Sequence, residues 1–99
     1  MNKFLISGHL NTGIENGLLL RELEAVTGMN RREIRRQIQQ ERLCGVPILS
    51  DCTYGYFLAS SEEETARFTR SMRRRAKEIL RVARAVESPK GGEAFAKGK

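Results

Sequence analysis

The chain has few of the residues on which most enzymes and metal sites depend. Its 99 residues include one histidine, His9, and two cysteines, Cys44 and Cys52. These three scattered side chains do not make the closely spaced four-ligand set that zinc takes. The glycines of 13–17 do not follow a phosphate-binding pattern, and no carboxylate pair stands in a pocket-like context. We therefore predict no enzyme, no metal site and no cofactor.

Long apolar runs are also absent. No stretch approaches the length of a membrane span, and the short run 4–6 is interrupted by Ser7-Gly8, unlike a signal peptide. We therefore expect a cytoplasmic chain with no membrane partner. The two cysteines could form a disulfide across the predicted hairpin, but in that compartment we expect both to be reduced, with Cys44 packed and Cys52 exposed.

Positive charge predominates in the sequence. A chain of 99 residues makes one domain at most, and its formal net charge is +6. Residues 1–59 hold seven Lys and Arg against six acids, whereas residues 60–99 hold eleven against six. A basic excess favours phosphate or another polyanionic partner.

The first half of the chain predicts two helices joined by a tight turn. Leu23 and Val26 share one helical face, and Gly28 can close that helix in the left-handed conformation. Asn30 is a favoured N-cap, and Glu33 three residues later completes a capping-box pattern. Two helices separated by so short a link have the spacing of a helix-turn-helix.

The second helix, predicted to end near Arg42, carries an apolar and a basic face. Ile34 and Ile38 share one face at 100° per residue. A recognition helix enters the major groove with its first residues toward the bases. There, arginine can recognise guanine and glutamine can recognise adenine. We predict DNA contacts from Asn30, Arg31, Arg32, Arg35, Arg36, Gln39 and Gln40. The alternative is a solvated charged face that Glu33 and Glu41 partly neutralise.

A β-hairpin comes after this helix. Residues 46–50 and 54–58 are β-rich runs joined by a short loop, and Pro47 suits a strand start or edge. We expect Thr53 and Tyr54 at the tip to approach the DNA backbone, with Tyr56 and Leu58 directed inward. Before the first helix, residues 18–19 are predicted to pair with the hairpin. Residues 3–12 are weakly helical, with Phe4, Leu5 and Leu10 as core candidates.

A long helix is predicted over residues 62–87. Ser60 or Ser61 can form a capping box with a glutamate three residues on, and no Gly or Pro lies between residues 62 and 87. Alternating spacings of four and three residues produce an apolar stripe: Thr65, Thr69, Met72, Ala76, Ile79, Ala83 and Val86. Opposite it lie Arg67, Arg70, Arg74, Lys77, Arg81 and Arg84. We predict a homodimer through Met72, Ala76, Ile79, Ala83 and Val86; the alternative is a charged helix packed within one chain.

Residues 18–59 resemble the winged helix-turn-helix domains of the kind that binds DNA in biotin repressors. The shared residues are Leu23, then Gly28-Met29-Asn30-Arg31, Gly45-Val46-Pro47-Ile48 and Gly55-Tyr56-Phe57-Leu58. The chain is also similar to small winged-helix proteins of prophage-like elements. It departs from the pattern at Leu20, where Ser or Thr is usual, and at Glu41, where Leu is usual. We expect Glu41 to reach water or a basic partner at the helix end.

The resemblance implies a mainly α fold with a small β-hairpin wing. Residues 1–60 would form the winged helix-turn-helix domain, 61–87 the long dimerisation helix and 88–99 a disordered tail. The implied function is double-stranded DNA binding, in regulation of transcription or of a mobile element. An accessory protein of phage DNA replication or packaging is one alternative. The other is a winged helix that docks an acidic protein partner through its arginine face. The chain is too short to include a biotin-ligase catalytic domain.

Overall fold

The computed structural model describes residues 5–88, whose fold is mainly α with a small antiparallel hairpin. The elements are α1 (Leu20–Thr27), α2 (Arg31–Leu43), β1 (Ile48–Asp51), β2 (Gly55–Leu58) and α3 (Glu62–Glu87). Two 3₁₀ turns precede α1, at Ser7–His9 and Ile14–Asn16. The described residues group into two compact units, 5–68 and 69–88. Phe4 and all of the predicted tail except Ser88 lie outside the described residues.

The turn between α1 and α2 forms as predicted. Gly28 has φ of 75°, the left-handed conformation, and its N–H donates to the Glu24 carbonyl. The Asn30 side chain accepts from the Glu33 N–H at 2.9 Å, while the Glu33 carboxylate accepts from the Asn30 N–H at 3.0 Å. The capping box is therefore confirmed.

The hairpin is a two-stranded sheet, and β2 also forms isolated bridges with residues that precede α1. β1 and β2 pair antiparallel from Ile48 opposite Leu58 to Asp51 opposite Gly55. On the other edge of β2, Leu18 and Tyr56 exchange two backbone hydrogen bonds, each 2.8 Å long. The predicted pairing of this segment with the hairpin is therefore confirmed. Gly55 has φ of 89°, and a Cβ there would lie 2.1 Å from the Leu18 carbonyl oxygen. Only glycine allows the two backbones to approach this closely.

The core of residues 5–68 lies between the first 3₁₀ turn, α1, α2 and β1. It consists of Ile6, Leu10, Leu23, Ile34, Ile38 and Ile48. Tyr56 and Leu58 pack against it, as predicted. Leu5, predicted as core, is exposed, because the segment forms a short 3₁₀ turn that buries Ile6 instead. Val26 is 54% exposed, so only Leu23 of its pair enters the core.

Both faces of the hairpin are covered. Leu49 and Phe57 are paired across the strands and both are buried, although they point away from the Tyr56 and Leu58 side. β1 begins at Ile48 rather than at Val46. Val46 donates its N–H to the Glu41 carbonyl instead, and Pro47 has no N–H to donate.

The bounds predicted for α3 are confirmed. Ser61 Oγ accepts from the Glu64 N–H at 3.1 Å, and the Glu64 carboxylate accepts from the Ser60 N–H at 2.7 Å. No residue of α3 is buried. Across 5–88, none of the helices is apolar over a stretch long enough for a membrane span.

Candidate nucleic-acid interface

α2 has two chemically distinct faces. Ile34, Ile38 and Glu41 are buried. About half a turn away, Arg32, Arg36 and Gln39 are exposed, and the same holds for Arg35 and Gln40 beside them. The 100° step between helical residues produces this separation, and burial of the two isoleucines fixes which face is turned outward.

The arginines of α2 are not equivalent. Arg31 Nε lies 3.2 Å from Glu24 Oε1, so this side chain links α2 to α1 across the turn. Within residues 5–88, Arg32, Arg35 and Arg36 have no ion-pair partner. The pairing of Glu24 with Arg31 was not predicted; the seven-residue spacing between these opposite charges across the turn was the available signal.

Two of these arginines lie at positions where the helix dipole disfavours a positive charge. Arg31 and Arg32 occupy the first turn of α2, next to the positive end of the helix dipole. Glu24 offsets the charge of Arg31, but Arg32 has no such partner in the described part of the chain. Within residues 5–88, neither the helix dipole nor an ion pair therefore stabilises the charge of Arg32.

Arg42 has a structural role. Its Nε donates to the Ile48 carbonyl at 2.7 Å, and its guanidinium carbon lies 5.1 Å from the centre of the Phe68 ring. Its Nη2 is the buried side-chain polar atom without a hydrogen-bond partner in residues 5–88. Burial lowers the pKa of Arg42, and the side chain connects α2 to β1 and to the first turns of α3.

The expectation for Glu41 is wrong, because its carboxylate reaches neither water nor a basic partner. It is 1% exposed and accepts hydrogen bonds from the backbone N–H groups of Ile6 at 2.8 Å and Ser7 at 2.9 Å. The Gln37 amide donates a third, at 2.9 Å. Burial acts to raise the pKa of Glu41, but the hydrogen bonds from Ile6, Gln37 and Ser7 outweigh it and lower the pKa. Glu41 thus anchors α2 to the first 3₁₀ turn.

The end of α2 lies within one residue of the predicted position. The helix continues to Leu43, which lies on the outward face and is 77% exposed. Cys44, expected to be packed, is exposed, and so is Cys52; both are free thiols. Among residues 5–88, no three His, Cys, Asp or Glu side chains are grouped so that they could hold a metal ion.

The hairpin tip has a fixed backbone. Asp51 Oδ2 accepts from the N–H groups of Thr53 at 2.8 Å and Tyr54 at 3.0 Å, an Asx-type turn. Both side chains are exposed, Tyr54 by 45%. No hydrogen bond or ion pair within residues 5–88 joins either of them to α2. The tip and the α2 face are thus two separate sets of exposed groups.

The dimerisation residues predicted on α3 are all exposed: Met72, Ala76, Ile79, Ala83 and Val86. All six cations predicted opposite them, from Arg67 to Arg84, are exposed as well. Arg81 pairs with Glu78 at 2.6 Å. This part of α3 therefore carries an apolar face and a basic face, both open to solvent.

Comparisons with protein-family models, with curated proteins and with solved structures found no match. The function is therefore inferred from the residues themselves.

Proposed function

We propose that this chain is a winged-helix DNA-binding protein that inserts α2 into the major groove. The observation that carries the proposal is the outward face of α2. It presents Arg32, Arg36 and Gln39 to solvent, and within residues 5–88 neither arginine has an ion-pair partner. The opposite face is buried through Ile34 and Ile38, so the exposed groups are held on a rigid support.

The chemistry of this face suits base recognition. Arginine donates two hydrogen bonds to guanine, and glutamine exchanges two with adenine. Arg32, Arg36 and Gln39 are spread over about 10 Å of helix, roughly the rise of three base pairs. Arg35 and Gln40 flank the three and are exposed, so in the proposed complex they would contact phosphates, and Asn30 lies at the N-cap.

The rest of residues 5–68 supports the helix in ways expected of such a protein. The Arg31–Glu24 pair and the capping box define the angle between α1 and α2. Glu41 and Arg42 attach the far end of α2 to the first 3₁₀ turn and to β1. The hairpin would serve as the wing, with Thr53 and Tyr54 against the sugar-phosphate backbone. We propose a regulator of transcription or of a mobile element, acting in the cytoplasm.

The test is binding to sites selected from a random pool of duplex DNA, measured by fluorescence anisotropy. Replacing Arg32 or Arg36 by Ala should weaken binding to the selected site by about 1–3 kcal/mol and relax the preference at particular base pairs. Arg21→Ala is the matched control, an exposed arginine on α1, and should change affinity little.

Equal losses on selected and random DNA would reduce both arginines to phosphate contacts. Failure to enrich any sequence, together with no salt-dependent binding to random duplex, would contradict DNA binding.

One observation favours a second candidate, docking of an acidic protein partner. Leu43 is a large apolar side chain that ends the arginine face and stays 77% exposed. An apolar side chain beside cations suits a protein surface better than a phosphate backbone. Leu43→Ala distinguishes the two functions, because it should leave affinity for duplex DNA nearly unchanged and should weaken a protein complex.

A further inference from the structure

The apolar side chains of α3 beyond residue 69 form a face that residues 5–88 leave uncovered. Met72, Ile79 and Val86 lie along it, and Leu80 and Val82 flank it. All five are large exposed hydrophobics, Ile79 by 61% and Val86 by 66%. We call Met72, Ala76, Ile79, Ala83 and Val86 the α3 stripe. An aliphatic set of this size on one helix face favours an apolar partner.

The exposed area is close to what a small interface needs. The five large side chains together expose roughly 500 Å² of apolar surface, at the upper end of what a monomer usually shows. Two such faces brought together would bury at most about 1,000 Å², the lower bound for a specific interface. Burial on this scale is consistent with a second copy of the chain as the occupant, in a reversible dimer.

Side-chain sizes along the α3 stripe determine how two copies fit. Small and large residues alternate, with Ala76 between Met72 and Ile79, and Ala83 between Ile79 and Val86. In a parallel pair, alanine would face alanine and isoleucine would face isoleucine, leaving gaps beside crowded layers. In an antiparallel pair, Ala76 faces Ile79 of the second copy and Ala83 faces Met72, so these layers each combine a small with a large side chain, and Val86 faces Thr69. Alternation of this kind fills a core evenly.

The charged residues beside the α3 stripe are compatible with an antiparallel pair. Arg73 and Arg75 flank the α3 stripe on its two sides. In the antiparallel register Arg73 lies opposite Leu80 of the second copy, and Arg75 lies opposite Val82. Two arginines do not meet, and the methylene stems of both can cover the aliphatic neighbour. The basic side chains Arg70, Arg74, Lys77, Arg81 and Arg84 stay outside the seam.

We infer that the α3 stripe is the seam of an antiparallel homodimer, in which each alanine packs against a large side chain of the second copy. The inference does not depend on DNA binding, because all of its residues belong to α3. It adds an orientation to the self-association that the apolar spacing alone predicts.

Sedimentation of the full chain without DNA tests self-association. At about 100 µM the chain should sediment as a dimer and should dissociate on dilution. Replacing Met72 and Ile79 by Lys should yield a monomer. Ser71→Lys with Ala85→Lys is the matched control, since it adds the same two charges away from the α3 stripe and should stay dimeric. A monomeric unmodified chain, or a dimer that survives the stripe substitutions, would overturn the inference.

Cross-linking tests the orientation. In a background with Cys44 and Cys52 replaced by Ser, a Met72→Cys chain mixed with an Ala83→Cys chain should form a disulfide between the two. Neither variant alone should cross-link to itself, because in the antiparallel pair identical positions are about 16 Å apart along the axis, beyond disulfide reach. An Ala85→Cys chain mixed with the Met72→Cys chain is the control and should stay uncoupled. Efficient self-cross-linking of the Ala83→Cys chain would indicate a parallel pair and overturn the antiparallel assignment.

Discussion

Residues 5–68 and residues 69–88 both place apolar residues along one face of a helix, with opposite results. In α2, Ile34 and Ile38 are four residues apart and both are buried. In α3, Met72, Ile79 and Val86 have an equally regular spacing and all three are exposed. The first region supplies its own partners in α1, β1 and the first 3₁₀ turn; the second has none among its own residues. Periodicity therefore identifies the face that requires a partner, and does not identify where that partner comes from.

The largest effect should appear when matched isoleucines are truncated in the two regions. Ile34→Ala should destabilise the protein by about 2–5 kcal/mol, because it opens a cavity in a closed core. Ile79→Ala should change the free energy of unfolding by less than about 0.5 kcal/mol at low protein concentration, because the side chain is already in water. Urea unfolding followed by circular dichroism measures both. Similar losses for the two variants would mean that α3 has a partner within the chain.

Substitution of Glu41 measures how much its hydrogen bonds to the first 3₁₀ turn contribute to the free energy of unfolding. Glu41→Gln keeps the shape but replaces one acceptor oxygen by an amide that cannot accept from Ile6 or Ser7. Leaving a buried N–H unpaired should cost about 1–3 kcal/mol in the free energy of unfolding. Glu33→Gln, on the exposed side of α2, is the control and should cost clearly less.

The same carboxylate predicts an acid sensitivity confined to residues 5–68. The pKa of Glu41 is lowered in the folded chain, so its stabilisation is complete above the unfolded pKa and is lost as the pH falls through the folded value. The unmodified chain should therefore lose more stability than Glu41→Gln on acidification from pH 7 to about pH 3. Parallel pH profiles for the two proteins would contradict this assignment.

The smallest effects should separate two tyrosines of the hairpin. Tyr54 is exposed at the tip, whereas Tyr56 packs against the core. Tyr54→Ala should leave thermal stability nearly unchanged and weaken DNA binding by less than about 1 kcal/mol, and Tyr56→Ala should lower the melting temperature. Thermal scans with anisotropy titrations measure both. A large stability loss on truncating Tyr54 would show that the tip is structural.

Local chemistry made several features predictable. Gly28, Asn30 and Glu33 specify a turn and a capping box through groups at most a few residues apart, and Ser61 with Glu64 does the same for α3. The outward position of Arg32 and Arg36 was predictable from the period set by the two isoleucines. All of these interactions lie within one or two helical turns.

Long-range contacts were not predictable. Glu41 finds its donors 34 and 35 residues away in the sequence, and no local pattern indicates that a buried glutamate will meet two free backbone N–H groups. Arg42 is similar, because its ring partner Phe68 belongs to α3. Ile6 rather than Leu5 enters the core, and residues 7–9 form a short 3₁₀ turn instead of the helix expected over residues 3–12, so helical spacing does not identify the buried side chain there.

Recognition through α2 can be tested by a backbone ¹H–¹⁵N spectrum of the full chain titrated with duplex DNA. If α2 enters the major groove, the amide signals of Arg32, Arg36 and Gln39 should shift most, and those of Thr53 and Tyr54 should shift next. Signals of the α1 residues Arg21 and Ala25, both exposed, should move little. Shifts confined to residues 70–84, or no shifts at a DNA excess and low salt, would contradict recognition through α2.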